Sequence, residues 1–471
     1  MSSPAPLNAD QVREEFLRFQ RERGHVRLAR SPLVPRDDPT TLFTGSGMQP
    51  LLPYLLGADH PDGQRLTDSQ TCLRGQDIDE VGDNRHTTFF EMLGNWSLGD
   101  YFKAGQLPAV WTLLTQRLGL DPARIFVTCF AGDPDHDIPK DTESAAIWRS
   151  LFEAAGLDAT EAELGTEQRG AELGSHGARI VFYGKKNWWC RSGAAAAMPE
   201  GDPGGPDSEL FYLYPEVAHD PAYGAHCHPN CDCGRYVEIG NSVFMEYRKT
   251  ADGFEHLPRR NVDFGGGLER IAAAVLGTPD VYRISLLRPL VEQLEQLSGV
   301  RYEDRTYEFR VIADHLRGAV FLAVDGVRPS NKEQGYVMRR LVRRAIRMAL
   351  SLGIAQDFFD QLVPAIADMY AGSYPEVAAS RDTVAEVLAA EERRFRRTLE
   401  HGLQQLEALR GREVTGHDLF VLHDTYGFPV ELAVEEARRS GFSLAGDWSA
   451  GYEAEVTAQR ARSQAAARAP A

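Results

Sequence analysis

RLTDSQTCLRGQDIDEVGDNRHTTFFEMLGNWSLGDYFK (residues 65–103) is the stretch whose reading decides the fold. Leu66, Ser69, Thr71 and Leu73 belong to an alternating run that reads as a strand closing on Arg74. GQDIDEVGDN then turns, and HTTFFEML reads as the return strand. A hairpin of that form brings Arg74 and Phe90 toward one cavity. The guanidinium is permanently charged and forked, which suits a phosphate or carboxylate bidentately, and a flat ring offers a base something to stack on. Together they hold opposite ends of a nucleotide. The same residues also read as an ordinary hairpin with a surface arginine and core phenylalanines.

At 471 residues the chain has length for two or three domains, and 43% hydrophobic with 25% charged residues is ordinary for a soluble globular protein with a sizeable core. No run approaches the roughly 18 apolar residues of a membrane span, and MSSPAPLNADQ lacks the basic and apolar regions of a signal peptide. The expected compartment is the cytoplasm, with no membrane partner. Six cysteines are few for a disulfide framework at this size, and three of them crowd together at Cys227, Cys231 and Cys233, which points to metal. The net charge of −17 works against phosphate binding as a whole. Sign is local, however: Arg339, Arg340, Arg343, Arg344 and Arg347 form one concentrated basic run, which leaves room for a small, salt-sensitive RNA footprint.

Residues 9 to 23 give an amphipathic helix through Val12, Phe16 and Phe19, stopped at Gly24. Pro32, Pro35, Pro39, Pro50 and Pro53 make the following stretch strand edges and turns. Helical spacing over 106–120 and 141–156 flanks a strand, RIFVTCF, and ARIVFYGKKNWWC is a strand leading into Trp188 and Trp189, a pair more often core than site. RSGAAAAMPEGDPGGPD (191–207) reads as a loop carrying polar backbone close to a substrate. AHCHPNCDCG (225–234) offers Cys227, Cys231 and Cys233 with either His226 or His228, and three thiolates with an imidazole suit one tetrahedral Zn2+. The alternative is a reduced thiol loop facing solvent.

RYVEIGNSVFMEYRK (235–249) alternates as a strand with Glu238 and Asn241 near its middle, polar residues that need partners or a cavity. In NVDFGGGLERIAAAVLG (261–277), Asp263 ends a strand, three glycines allow close backbone approach, and a helix starts at Leu268 with Arg270 in its first turn. Asp263 can alternatively cap that helix. A kinase is excluded because no His-Arg-Asp loop accompanies Asp-Phe-Gly, and a Walker loop because no lysine follows the glycines. Beyond about residue 280 helical patterns dominate. The arginines from Arg339 to Arg347 lie at helical spacing, with Leu341, Val342, Ala345 and Ile346 inward. Such a run without an acid favours phosphate contacts over a merely solvated face.

The 65–103 stretch resembles motif 2 of the class II aminoacyl-tRNA synthetases, and TTFFEMLGNWSLGDYFK is similar in particular to the alanyl family. SPLVPRDDPTTLFTGSGMQPLLPYLLG resembles motif 1 and GLER motif 3. The resemblance implies an α+β fold: a class II antiparallel sheet flanked by helices over 1–280, carrying the Cys/His insertion at about 190–234, then an all-α tRNA-recognition domain over 281–471. It implies ATP and Mg2+, with Arg74 and Arg270 as the catalytic arginines, Phe90, Glu91, Met92 and Gly267 at the nucleotide, and Glu238 near metal-bound phosphates. L-alanine is then held by Trp189, Asn241, Asp263 and Gly265, with Asp263 on the amino group. PSNKEQGY and LHDTYGFP resemble the tRNA-recognition domain. Asn331 and Asp424 are accordingly expected at the minor groove of a G·U pair in the acceptor stem of alanine tRNA, with Arg339, Arg340, Arg343 and Arg344 on phosphates. Three departures stand out: the short GQDIDEVG after Arg74, Phe264 where relatives carry Thr, and GDPGGPDSE where relatives carry a Gly-Pro-Cys-Gly-Pro-Cys loop.

The implied activity is ATP-dependent activation of L-alanine and its transfer to the 3′ end of alanine tRNA, with positioning and electrostatics carrying the rate. Two rivals differ in outcome: a paralogue loading alanine onto a carrier protein or small molecule, and a non-catalytic tRNA-binding regulator. The His-x3-His and Cys-x3-His signatures of the family's editing domain do not occur, so the chain reads as a short form covering about half of a usual member. Serine and glycine mischarging, corrected by a separate editing deacylase, is the expected consequence.

Overall fold

Asn8 opens the first helix of the computed structural model. Its side-chain oxygen accepts from the Gln11 N–H at 2.9 Å while Gln11 Oε1 accepts from the Asn8 N–H at 2.9 Å, a reciprocal cap. Helix α1 (Ala9–Glu22) runs from this cap to Gly24, whose φ of +83° ends it. The structure describes residues 6–35, 41–193, 195–354 and 358–468; Pro39 and the end of the C-terminal tail lie outside them.

The chain divides into two compact units, Met1–Gln296 with Arg301–Asp325, and Leu297–Val300 with Gly326–Ala471. In the first, ten strands form one sheet: β1 (Val26–Arg27), β2 (Arg65–Leu73), β3 (Phe89–Leu98), β4 (Ile125–Phe130), β5 (Glu161–Gly165), β6 (Ile180–Tyr183), β7 (Trp188–Cys190), β8 (Pro203–Leu213), β9 (Tyr236–Thr250) and β10 (Gly253–Gly267). Their spatial order is β1-β2-β3-β10-β9-β8-β4-β6-β5, with β7 on β8. The run from β2 to β4 is antiparallel, and parallel pairs β1/β2, β4/β6 and β6/β5 finish the edges. This is the antiparallel sheet flanked by helices that the sequence implies.

One face of the central strands is closed by α1, α2 (Leu268–Leu276) and α3 (Thr306–Val324). Phe16 of α1 stacks on Phe264 with centroids 6.3 Å apart, and Phe321 of α3 stacks on Phe89 at 4.6 Å. All four rings are buried, each contributing about 1.5–3 kcal/mol of apolar burial. The period of two then sends Phe90, Met92, Asp263 and Gly265 to the other face, which is left for chemistry.

Two sequence expectations change. The 191–207 segment is not loop throughout, because β8 begins at Pro203. Proline is admitted since β8 and β9 lose register between Gly204 and Asp207, so the ladder asks no hydrogen bond of Pro206 there. Nor does Asp263 end its strand: Gly265, Gly266 and Gly267 stay paired with β3, opposite Gly94, Leu93 and Met92.

In the second unit the helices are α4 (Glu333–Ser351), α5 (Arg381–Glu407), α6 (Gly416–Asp424), α7 (Val430–Arg439) and α8 (Trp448–Arg468), with Phe359–Tyr370 packed on α5. Gly402 of α5 allows close approach, since a Cβ there would sit 2.6 Å from the Phe428 ring. Among the described residues no helix is long and apolar enough to cross a membrane.

Candidate active site

Residues directly opposed in an antiparallel ladder share a face. Two rows therefore cross the open face side by side. One runs Glu209, Asn241, Gly265, Gly94, Asp68; the other runs Asp207, Val243, Asp263, Trp96, Leu66. Beyond the first row, toward the β2–β3 turn, lies a cavity of about 100 Å3. Arg74, Phe90, Met92 and Arg270 line it together with Glu238, Gly265 and Gly267.

Arg74 leaves the end of β2, where its N–H donates to the Thr88 carbonyl at 2.9 Å. Its Nε donates to the Gly45 carbonyl at 3.1 Å, and the guanidinium carbon lies 4.9 Å from the centre of the Phe90 ring. Cys72 opposes Phe90 across the ladder, so the two-residue step to Arg74 keeps it on that side. Arg270, in the first turn of α2, donates from Nη1 to the Glu238 carbonyl at 3.1 Å and stands 3.8 Å from Glu238 Oε2. Two guanidinium groups and a ring thus converge on one small space, an arrangement that can hold a base and a phosphate chain.

Glu91 is not among them. It faces α1, fully buried, with Arg13 donating from Nε and Nη2 to its two oxygens at 2.6 Å each. Its backbone N–H donates to Glu269 Oε2 at 3.1 Å, and Arg317 Nη1 donates to Glu269 Oε1 at 2.9 Å. This buried network holds β3 to the helices behind it.

Asp263 is buried and accepts from the Trp96 indole N–H at 2.7 Å. Burial pushes its carboxyl up to about 7, with the indole hydrogen bond opposing. Asp68, fully buried nearby, is raised well above the carboxylate range by burial and by the Asp263 charge. Asn241 sits opposite Gly265, and its Oδ1 is buried with no hydrogen-bond partner among the described residues. A Cβ on Gly265 would meet the Met92 sulfur at 2.9 Å, so space over this row is short. Trp189 packs against the Met48, Leu51, Trp96 and Val243 cluster at the side of the second row. Asn241, Asp263 and Trp189 therefore lie beside one another along the sheet rather than in the cavity lining itself. Sequence reasoning passed over Asp207 and Glu209, which are buried on the same face. Their spacing of two was the available signal, hidden inside a Gly- and Pro-rich segment.

The thiols gather as expected, but around a different histidine. One ligand atom from each of His219, Cys227, Cys231 and Cys233 lies within 4.8 Å of the others. Cys227 Sγ is 3.5 Å from Cys233 Sγ, and Cys231 Sγ is 3.7 Å from His219 Nδ1. His228 is instead buried with Nδ1 2.7 Å from the Tyr183 hydroxyl, and His226 packs near Gly174 and His176. Three soft thiols and an imidazole at that separation match a tetrahedral zinc donor set.

In the second unit a cleft of about 570 Å3 is lined by Asn331, Arg339, Arg340, Arg343, Arg394 and Arg460, with Tyr336, His423 and Tyr452 at its walls. Burial first, and then the neighbouring Arg343 charge, push the Arg339 guanidinium below its usual range, with Glu391 opposing. The basic run does not act as one face, however. Arg343 Nε donates to Glu391 at 2.8 Å while still lining the cleft. Arg344, 2% exposed, donates from Nε and Nη2 to the two oxygens of Glu435 at 2.8 and 3.2 Å, and Arg347 pairs with Glu436. Asp424 ends α6, exposed, next to His423.

The profile described as tRNA synthetases class II (A) matches residues 11–471. A protein named alanine–tRNA ligase from Treponema pallidum (strain Nichols) is 43% identical over 93% of this chain and 70% of its own length. One of the same name from Borreliella afzelii (strain PKo) is 39% identical, again over 93% and 70%. The one from Listeria monocytogenes serovar 1/2a is 36% identical over 98% of this chain and 49% of its own length.

Proposed function

The chain belongs to the class II tRNA synthetases of the alanine type, ligases that use ATP and Mg2+, and on that premise we propose that it activates L-alanine as an adenylate and transfers it to alanine tRNA. The observation that carries this reading is the convergence of Arg74, Phe90 and Arg270 on one cavity, continuous along the sheet with Asn241 and Asp263. An alanine carboxylate oxygen attacks the α-phosphorus, the bond to the β-phosphate oxygen breaks, and pyrophosphate leaves. The terminal ribose hydroxyl of the tRNA then attacks the activated carbonyl and AMP departs. Arg74 is positioned to carry the α-phosphate charge and Phe90 to stack the base; Arg270 takes the far phosphates. Glu238 would hold Mg2+ beside the phosphates, where the ion would supply neutralisation of their charge. Asp263 accepts from the alanine ammonium, and the tight space over Gly265 favours a methyl side chain.

A pocket of this kind separates side chains differing by one small group by only about 1–3 kcal/mol, so serine is the expected competitor and deacylation of mischarged tRNA the expected remedy. His219, Cys227, Cys231 and Cys233 would hold one structural zinc, which would close the 219–233 segment on itself. Well under one zinc per chain in protein purified without chelator sinks that assignment.

In the second unit, Asn331 and Asp424 are proposed acceptors for the guanine amino group of a G·U pair in the acceptor stem, with Arg339, Arg340 and Arg343 on the phosphates. The deciding experiment charges an alanine tRNA transcript beside one whose G·U pair is changed to G·C. Charging of the first alone is expected. Equal charging of both removes the wobble reading, and alanine-dependent pyrophosphate exchange without any charging would point to a carrier-loading ligase.

A further inference from the structure

Asp207 on β8 is 2% exposed and lies in the same cross-strand row as Asp263, with Val243 between them. Asn187 Nδ2 donates to its Oδ1 at 2.8 Å, and the Asn241 amide also faces this carboxylate; both favour the charged form against a burial that pushes it up to about 7. Glu238 and Lys186 act on it from β9 and from the turn before β7, with opposite signs. Glu209, two residues on, is raised well above the carboxylate range by burial and by Glu238 and Asp207, while Thr128, Asn187 and Asn230 donate to its Oε2.

Asn241 meets the Asp207 carboxyl through a side-chain hydrogen bond while its own Oδ1 has no partner among the described residues, so the edge of Asn241 that faces Asp207 is its N–H edge and the carboxyl oxygen accepts. The opposite edge is Oδ1, the buried acceptor with no donor among the described residues. It stands opposite Gly265 and diagonal to Asp263 on the ladder. Diagonal neighbours are roughly 7–8 Å apart at the backbone, close enough for two side-chain oxygens to meet one cation.

We propose that Asp207 is a positioning residue for the substrate's α-ammonium: by accepting from the Asn241 amide nitrogen it fixes that amide so that Oδ1 is presented to the pocket beside Asp263. This role presupposes that Asn241 and Asp263 meet the amino acid, as in the proposed function. A primary ammonium carries three donors and no acceptor, so it tolerates only this orientation. An α-hydroxyl both donates and accepts and is indifferent to it.

Pyrophosphate exchange with alanine, and its inhibition by L-lactate, separate these cases. In Asp207→Asn the side chain keeps its shape but offers either edge, so Asn241 can turn its nitrogen toward the ammonium. The KM for alanine is expected to rise about ten-fold, with kcat, the KM for ATP and the lactate Ki each within about two-fold, the size of effect left by one misdirected hydrogen bond to a charged group. The same substitution placed in Asn241→Ala should add nothing further. Asp207→Ser, which removes the carboxylate and leaves a shorter hydroxyl that both donates and accepts, supplies a second variant should the first fold poorly, with the same rise in the alanine KM expected. Equal weakening of alanine and lactate, or an unchanged alanine KM in Asp207→Asn while Asn241→Ala raises it, overturns the positioning role. An unchanged alanine KM in Asn241→Ala means instead that Asn241 does not meet the substrate, and the role falls with that assignment.

Discussion

With the proposed ammonium contact, Asp263 carries a conflict between stability and binding that pH exposes. Its carboxyl is pushed up to about 7 by burial, against an unfolded value of about 4. A raised acid contributes stability that is fully present below the unfolded value and is lost as pH rises through about 7. Binding an ammonium has the opposite demand, since only the ionised form pairs with it. The KM for alanine should therefore climb as pH falls below about 7, by up to roughly ten-fold per pH unit, while kcat at saturating alanine stays level. A KM flat from pH 5.5 to 8 would contradict the ammonium assignment. Asp263→Asn should abolish alanine activation and raise the melting temperature, more at pH 8 than at pH 5, because it removes a charge the fold disfavours. Asp68 does not compensate: burial and the Asp263 charge raise its own carboxyl well above the usual range. Residue types and the local turn made Arg74, Phe90 and Arg270 readable in the sequence. Glu91 was not, because a period of two says that Glu91 and Phe90 face opposite ways without saying which face the helices cover. Arg13, lying 78 residues away in sequence, settles it.

At the level of elements, the crossing of β8 and β9 is the part of the site least visible in sequence and most sensitive to change. A Cβ built on Gly205 would sit 2.0 Å from the Phe244 carbonyl oxygen, a backbone atom that cannot rotate away. The glycine is there for close approach, beside the register shift that admits Pro206. Gly205→Ala should cost at least about 1–3 kcal/mol, measured as a lower denaturant midpoint at unchanged slope. The KM for alanine should rise too, since forcing these strands apart displaces Asp207 and Asn241. A midpoint within experimental scatter of the wild type would show that the strands separate freely there. Gly- and Pro-rich composition read as a loop because turn chemistry and a bulged strand use the same residues. The metal cluster failed to be legible in a related way. Three cysteines within seven residues announced themselves, whereas His219 lies eight residues before the first of them and joins only once the segment folds back.

For the molecule as a whole, the net charge of −17 must be reconciled with the proposed nucleic-acid substrate, and the second unit offers a means by concentrating arginine in one cleft. Helical spacing identified the basic run but could not divide it, because the acids that neutralise part of it come from α5 and α7, nearly 50 to 91 residues further along the chain. Arg344 and Arg347 face those acids and hold helices together, while Arg339, Arg340 and Arg394 line the cleft. The two groups should respond oppositely to mutation. Arg344→Ala removes the bidentate partner of Glu435, whose side chain is 20% exposed, and should destabilise the protein by about 1–3 kcal/mol. Arg340→Ala should leave the melting temperature within a degree or so and weaken binding of alanine tRNA, reducing the magnitude of the slope of log affinity against log salt by about 1, as expected when a single phosphate is no longer neutralised. Alanine activation without tRNA should be untouched in Arg340→Ala, since the proposed adenylation site lies on the sheet of the first unit. If Arg344→Ala instead lowers the salt slope with stability intact, the basic run binds RNA as a single face, and its pairing with Glu435 is secondary to that role.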